Sequence, residues 1–257
     1  MALAEVNNLR IHYQFIGEGK RIIVFNHGLV MDNLSSWYFT MGNKAATFAR
    51  VLLYDLRGHG KSSRPKSGYK VSDFVRDLYD ILGILNIKDK VFLVGNSFGG
   101  LLNLAFAINH PEKVQGIILV DSHVSDKDFA AEMKSTLELQ GEERDLMIVK
   151  SFQKWIGRHS ERKRNKLAET ASDLVYRTDL IKDLKDSEIF EEKDIAGIKS
   201  PVLAIYGENS DIKEKGKHLA DLLPYCDYRI FPGCTHSVLW EATEELCKQS
   251  LEWIQNQ

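Results

Sequence analysis

The chain has 257 residues, 44% of them hydrophobic, and its 34 basic and 36 acidic side chains leave a formal charge of −2. This balance excludes a strong positive field that would recruit nucleic acid or an anionic membrane, and no run reaches the roughly 18 apolar residues of a membrane span, so neither a nucleic-acid partner nor membrane insertion is expected. Cys226, Cys234 and Cys247 form no CxxC pair, and the first residues lack a basic start followed by an apolar run, which points to a reduced, cytoplasmic protein.

In chain order, ALAEV and RIHYQFIG read as strands that pair antiparallel at one edge of a sheet. The segments IIVFN (22–26), RVLLYD (50–55), KVFLVGN (90–96), GIILVD (116–121) and PVLAIYG (201–207) are short, β-branched and apolar on both faces, as strands buried in a parallel sheet are. Helical patterns separate them. VSDFVRDLYDILGILNI puts Val71, Phe74, Val75, Leu78, Ile81, Leu82 and Leu85 on one face, and GLLNLAFAINHPEK stops at a proline. CDYRIF (226–231) adds a last strand-like run before a final helix. The alternation predicts an α/β fold, with a doubly wound, mostly parallel sheet of about eight strands formed by 1–121 and 200–257. It lapses between Asp121 and Ser200. That charged, helix-patterned interval offers no buried strand, so 122–199 is expected to be a helical lid inserted after the sixth strand, above the sheet edge where ligands bind.

The stretch VGNSFGG (94–100) joins a strand to a helix through a bend of about four residues. Such a bend strains its central residue, and Gly95 and Gly99 remove the Cβ atoms that would collide there. The strain lifts the Ser97 hydroxyl clear of the sheet, at the positive end of the next helix. GNSFGG is neither GxGxxG nor GxxxxGKS, so it does not read as a phosphate loop. A serine hydroxyl needs a base and an orienting acid, and both follow in the order serine, acid, histidine. Asp211 lies in YGENSD and His236 in FPGCTHSVLWE. No histidine pair has metal-ligand spacing, so no metal and no cofactor are expected.

With FNHGL, YDLRGHGKS, VGNSFGG and PGCTHSVLWE in order, the chain resembles the α/β-hydrolase superfamily over nearly its whole length outside 122–199. The resemblance implies an α/β-hydrolase fold with a catalytic triad of Ser97, Asp211 and His236. It also implies an oxyanion hole made by the backbone amides of Leu29 and Phe98. His27, His59, Arg57 and Asp55 are then scaffold residues. One departure leaves the acid open: relatives commonly carry it three residues after the strand-end glycine, whereas Asp211 stands four after Gly207. Glu208 and Asp121, at the end of the strand before the insertion, are the alternatives. Met31, Trp37, Phe129, Met133, Trp155 and Trp240, with the Phe98 side chain, are candidate pocket walls for an apolar acyl group. Arg158 to Lys166 holds five basic residues that could steer coenzyme A or an acyl carrier protein. The expected function is a serine hydrolase cleaving an ester, thioester or lactone through an acyl-enzyme. Perhydrolase, C–C hydrolase, acyltransferase or cyclase chemistry on the same triad, and a receptor-like binding protein, are the alternatives.

Overall fold

The computed structural model describes residues 2–30, 32–122, 124, 170–171 and 173–257. Met31, Phe129, Met133, Trp155, the basic run 158–166 and most of the expected lid lie outside the described residues.

Eight strands form one sheet: β1 (Ala2–Val6), β2 (Leu9–Ile16), β3 (Ile22–Asn26), β4 (Arg50–Tyr54), β5 (Val91–Asn96), β6 (Val114–Val120), β7 (Val202–Gly207) and β8 (Cys226–Phe231). Their order is β1-β2-β4-β3-β5-β6-β7-β8. β1 and β2 pair antiparallel, β2 meets β4 antiparallel, and the other six strands run parallel, as expected. The side-chain period of two divides each central strand between two cores. Val24, Leu52, Leu93 and Ile117 face one layer, while Ile23, Phe25, Leu53, Val94 and Ile118 face the other.

The first layer is covered by α3 (Val71–Ile84) and α4 (Phe98–Asn109). In α3 the buried residues are Val71, Phe74, Val75, Asp77, Leu78, Ile81 and Leu82, so the apolar stripe read from the sequence is the face that packs. The Asp73 carboxylate accepts the Lys70 N–H at its start, and Asn86, at φ +54°, turns the chain away after its end. The second layer starts with α1 (Leu34–Trp37), which runs on through a π turn, Tyr38–Gly42, into α2 (Asn43–Ala45).

Beneath β4, the buried Arg57 guanidinium grips Asp77 of α3 with two hydrogen bonds of 2.6 Å, and Asn7 donates to the same carboxylate. The described end of the 122–199 interval is tied to the loop before α3. Asp183 of α5 (Leu180–Lys185) accepts the Gly68 and Tyr69 amides, Ser187 accepts Val71 N–H, and Leu174 and Leu180 are fully buried in the first core. After α6 (Glu192–Ala196) the chain returns to β7, followed by α7 (Lys213–Leu222), β8, α8 (Val238–Glu241) and α9 (Thr243–Asn256). Among the described residues no helix is long and apolar enough to cross a membrane.

Candidate active site

β3 is flanked by β4 on one side and β5 on the other, so the chain winds away from this point in both directions. That reversal opens a crevice at the carboxyl ends of β3 and β5, where open α/β sheets bind ligands. Ser97 sits there, directly after β5, with φ +51° and ψ −119°. The glycines explain how the bend is tolerated: a Cβ on Gly99 would stand 2.0 Å from the Asn26 carbonyl oxygen, and one on Gly95 would stand 2.4 Å from the Gly99 carbonyl carbon. The bend is held from behind, since Ser97 N–H donates to Val120 O and the Ser122 hydroxyl donates to Ser97 O.

His236 arrives from the loop between β8 and α8, a loop that Glu241 fixes by accepting both the Thr235 N–H and the Thr235 hydroxyl. Its Nε2 lies 3.1 Å from Ser97 Oγ, and its Nδ1 lies 2.8 Å from Asp121 Oδ1. A carboxylate can only accept, so Nδ1 carries the proton and Nε2 presents a lone pair to the serine. Burial works to lower the pKa of the ring, but the hydrogen bond and charge of Asp121, with a further push from Asp211, leave it above the ordinary histidine value of 6.5.

The expected acid is therefore corrected. Asp121, not Asp211, meets the imidazole, as one of the alternatives had it. Asp121 follows β6, is 1% exposed and takes φ +45°, which turns its side chain toward the β8 loop. Asp211 is exposed and acts on the ring only through its charge. Glu208 is exposed as well and accepts the Gly233 amide. The position three residues after Gly207 is Ser210, whose hydroxyl donates to Asp121 Oδ1 at 2.5 Å. Only the displaced spacing of the GENSD loop could have signalled that partner.

The loop after β3 is pinned by three side chains. His27 donates from Nδ1 to Gly28 O and accepts Leu56 N–H at Nε2. His59 donates from Nδ1 to Arg57 O and accepts Val30 N–H at 2.8 Å; burial, chiefly, and the neighbouring His27 push its pKa down to about 3, so it stays neutral. Asp32, unmarked by any motif, accepts the Gly28 and Asn33 amides, the Ser36 hydroxyl and, at 3.3 Å, the Asn96 amide. Val30 is held at φ +66°, an unfavourable region for a β-branched residue. Between these fixed points, the Leu29 N–H makes no hydrogen bond among the described residues.

Two pocket expectations change. Trp37 is fully buried in the second core, tilted on Phe25, with its indole N–H on Asn26 O, because Leu34, Trp37 and Met41 share the inward face of the α1 turn. The Phe98 ring packs edge-on against Phe74 in the first core. Trp240 is half-buried and rests on the second core.

An eight-stranded, mostly parallel sheet with a serine at a strained strand-to-helix bend and an imidazole reaching it from the last loop defines an α/β hydrolase. The sequence model of the alpha/beta hydrolase fold family matches residues 21–243, and the chain belongs to that family. It is 28% identical to the 2-hydroxy-6-oxononadienedioate/2-hydroxy-6-oxononatrienedioate hydrolase of Paraburkholderia phymatum, over 96% of this chain and 91% of that protein. Its fold is similar to the enol-lactonase from Burkholderia xenovorans, with a TM-score of 0.78 at 21% identity over 99% of this chain and 100% of that one. It is also similar to a thermophilic esterase from Thermogutta terrifontis, with a TM-score of 0.80 at 20% identity over 96% and 94% of the two chains.

Proposed function

We propose that the protein is a cytoplasmic serine hydrolase that cleaves an ester, lactone or thioester of a small apolar acyl group through an acyl-enzyme. The single observation that carries this reading is the continuous relay from Ser97 Oγ to His236 Nε2 (3.1 Å) and from His236 Nδ1 to Asp121 (2.8 Å). In this reading Ser97 Oγ attacks the carbonyl carbon while its proton passes to His236 Nε2. Asp121 stabilises the imidazolium that results. The negative charge that develops on the carbonyl oxygen is met by the Leu29 and Phe98 amides and the N-terminus of α4. Collapse of this intermediate transfers the histidine proton to the leaving oxygen or sulfur. Water, deprotonated by His236, then releases the acid and restores Ser97.

The C–C hydrolase is the second reading, favoured by the alignment with the Paraburkholderia phymatum relative over nearly the whole chain. Hydrolysis at a ketone breaks a carbon–carbon bond, and the proton that His236 holds would then go to the departing carbon. A panel containing p-nitrophenyl esters of rising chain length, an enol lactone, an acyl thioester in free and carrier-bound form, and a 2-hydroxy-6-oxodienoate separates these readings. Turnover of esters, lactone or thioester, lost in Ser97→Ala, supports the first reading. Turnover of the dienoate alone replaces it with the second. Absence of covalent labelling of the wild type by a fluorophosphonate would defeat both.

A further inference from the structure

The candidate relay ends on a carboxylate that must keep one orientation while buried. Asp121 Oδ2 accepts the Gly207 amide at 2.7 Å, and Oδ1 is shared by the His236 Nδ1–H and the Ser210 hydroxyl. Ser210 is only 8% exposed, and its backbone is fixed in the turn after β7, with its N–H on Gly207 O and its carbonyl accepting Lys213 N–H. Its hydroxyl has one proton to give. Because Ser210 Oγ also accepts the Ile212 amide at 3.3 Å, a lone pair is occupied there and the proton is directed at Asp121.

We propose that Ser210 is a positioning residue of the relay, holding the Asp121 carboxylate in the orientation that meets His236. This rests on the reading of Ser97, His236 and Asp121 given above. Without that hydroxyl, Gly207 N–H is the only described donor besides the imidazole, so apart from the ring it has to orient, the carboxylate is anchored through Oδ2 alone. The φ of +45° at Asp121 adds to the need for a second anchor, since a non-glycine residue holds that geometry only where its surroundings impose it.

The test reads the activation of Ser97 without needing the natural substrate. A fluorophosphonate forms an Oγ–P bond with Ser97 and expels fluoride, and the serine proton passes to His236, so the labelling rate and its pH dependence report the relay. Ser210→Ala is expected to label roughly tenfold more slowly, the effect of losing one hydrogen bond to a charged group. The midpoint of its pH dependence should move down, because the imidazolium loses part of its contact with Asp121. Ser210→Thr, which keeps the hydroxyl, should label within about threefold of the wild type. Thermal melts verify that the variants are folded. A wild-type rate and an unmoved midpoint in Ser210→Ala would overturn the proposal, and so would Ser210→Thr as slow as Ser210→Ala. If Asp121→Asn also labels at the wild-type rate, the reading of the relay itself fails; if Asp121→Asn is slow while Ser210→Ala is not, only the role of Ser210 fails.

Discussion

Replacing Asp121 by Asn keeps the size of the side chain but gives one of its two positions hydrogens to donate. Asp121 Oδ2 faces the Gly207 amide and Oδ1 faces the Ser210 hydroxyl and His236 Nδ1, so every neighbour that the described residues offer it is a donor. An asparagine NH2 turned toward Gly207 sets two donors against each other in a buried place. Turned toward His236, it can be accommodated only if Nδ1 gives up its proton, which puts a hydrogen on Nε2 where Ser97 needs a lone pair. The second arrangement avoids the buried clash with Gly207 N–H, and in it the base is lost. A wrong tautomer costs a serine relay about 10⁴-fold in turnover, which is ~5.4 kcal/mol at 1.36 kcal/mol per decade. Asp211→Asn removes only a charge at an exposed site, so a change of less than about threefold is expected. Stopped-flow labelling by a fluorophosphonate, with p-nitrophenyl acetate turnover beside it, measures both variants. The reasoning is refuted if Asp121→Asn keeps more than a tenth of the wild-type rate while Asp211→Asn loses a thousandfold.

Further measurements bear on other parts of the structure. His236 must be neutral to take the serine proton, and its pKa is raised, so the rate should fall as pH drops through a midpoint above 6.5; Asp211→Asn should move that midpoint down slightly, as a pH–rate profile will show. Trp37→Ala removes a fully buried indole and is expected to destabilise the fold by ~3–5 kcal/mol, lowering the thermal midpoint by roughly 10 °C, with KM for small esters unchanged. A large KM change in protein that is still folded would return Trp37 to the pocket wall. Exchanging the two partners, as Asp121→Ser with Ser210→Asp, moves the carboxylate across a 2.5 Å contact. The double variant should label Ser97 at least about tenfold faster than Asp121→Ser alone, because removing the carboxylate altogether loses the largest share of the relay's effect.

The strands were legible because a parallel strand buried on both faces has to be apolar at every position, and IIVFN emerges as β3 with all five residues buried. The bend at Ser97 was legible because only glycine fits where Gly95 and Gly99 approach backbone atoms. Trp37 is a core residue rather than a pocket wall, because an aromatic side chain suits either place and only its helical spacing separates them. Its spacing from Leu34 and Met41 is that of an inward helical face, so the side chain turns beneath the sheet. The acid was illegible for a different reason. A carboxylate after β6 and another after β7 give the same order of residue types relative to the histidine, and nothing along the chain says which loop turns inward. Backbone geometry decides it: φ +45° at Asp121 directs one carboxylate to the ring, while the turn closed by Ser210 N–H and Gly207 O leaves Asp211 one residue too far, in solvent.

The strand order explains why two loops compete for that role. β5, β6, β7 and β8 are consecutive neighbours, and strands lie roughly 4.8 Å apart, so the serine after β5 and the loop after β8 start about 14 Å from each other. No pair of side chains closes that gap from strand ends alone. The β8 loop has to lean back across β7 and β6, and Glu241 holds it there through Thr235. Once the imidazole lies over those two strands, the end of either one is within a side chain's length of Nδ1. The acid and its hydroxyl partner are thus the two middle positions of a single row, and the hydrogen bond between Ser210 and Asp121 is the contact this row requires whichever of the two carries the charge.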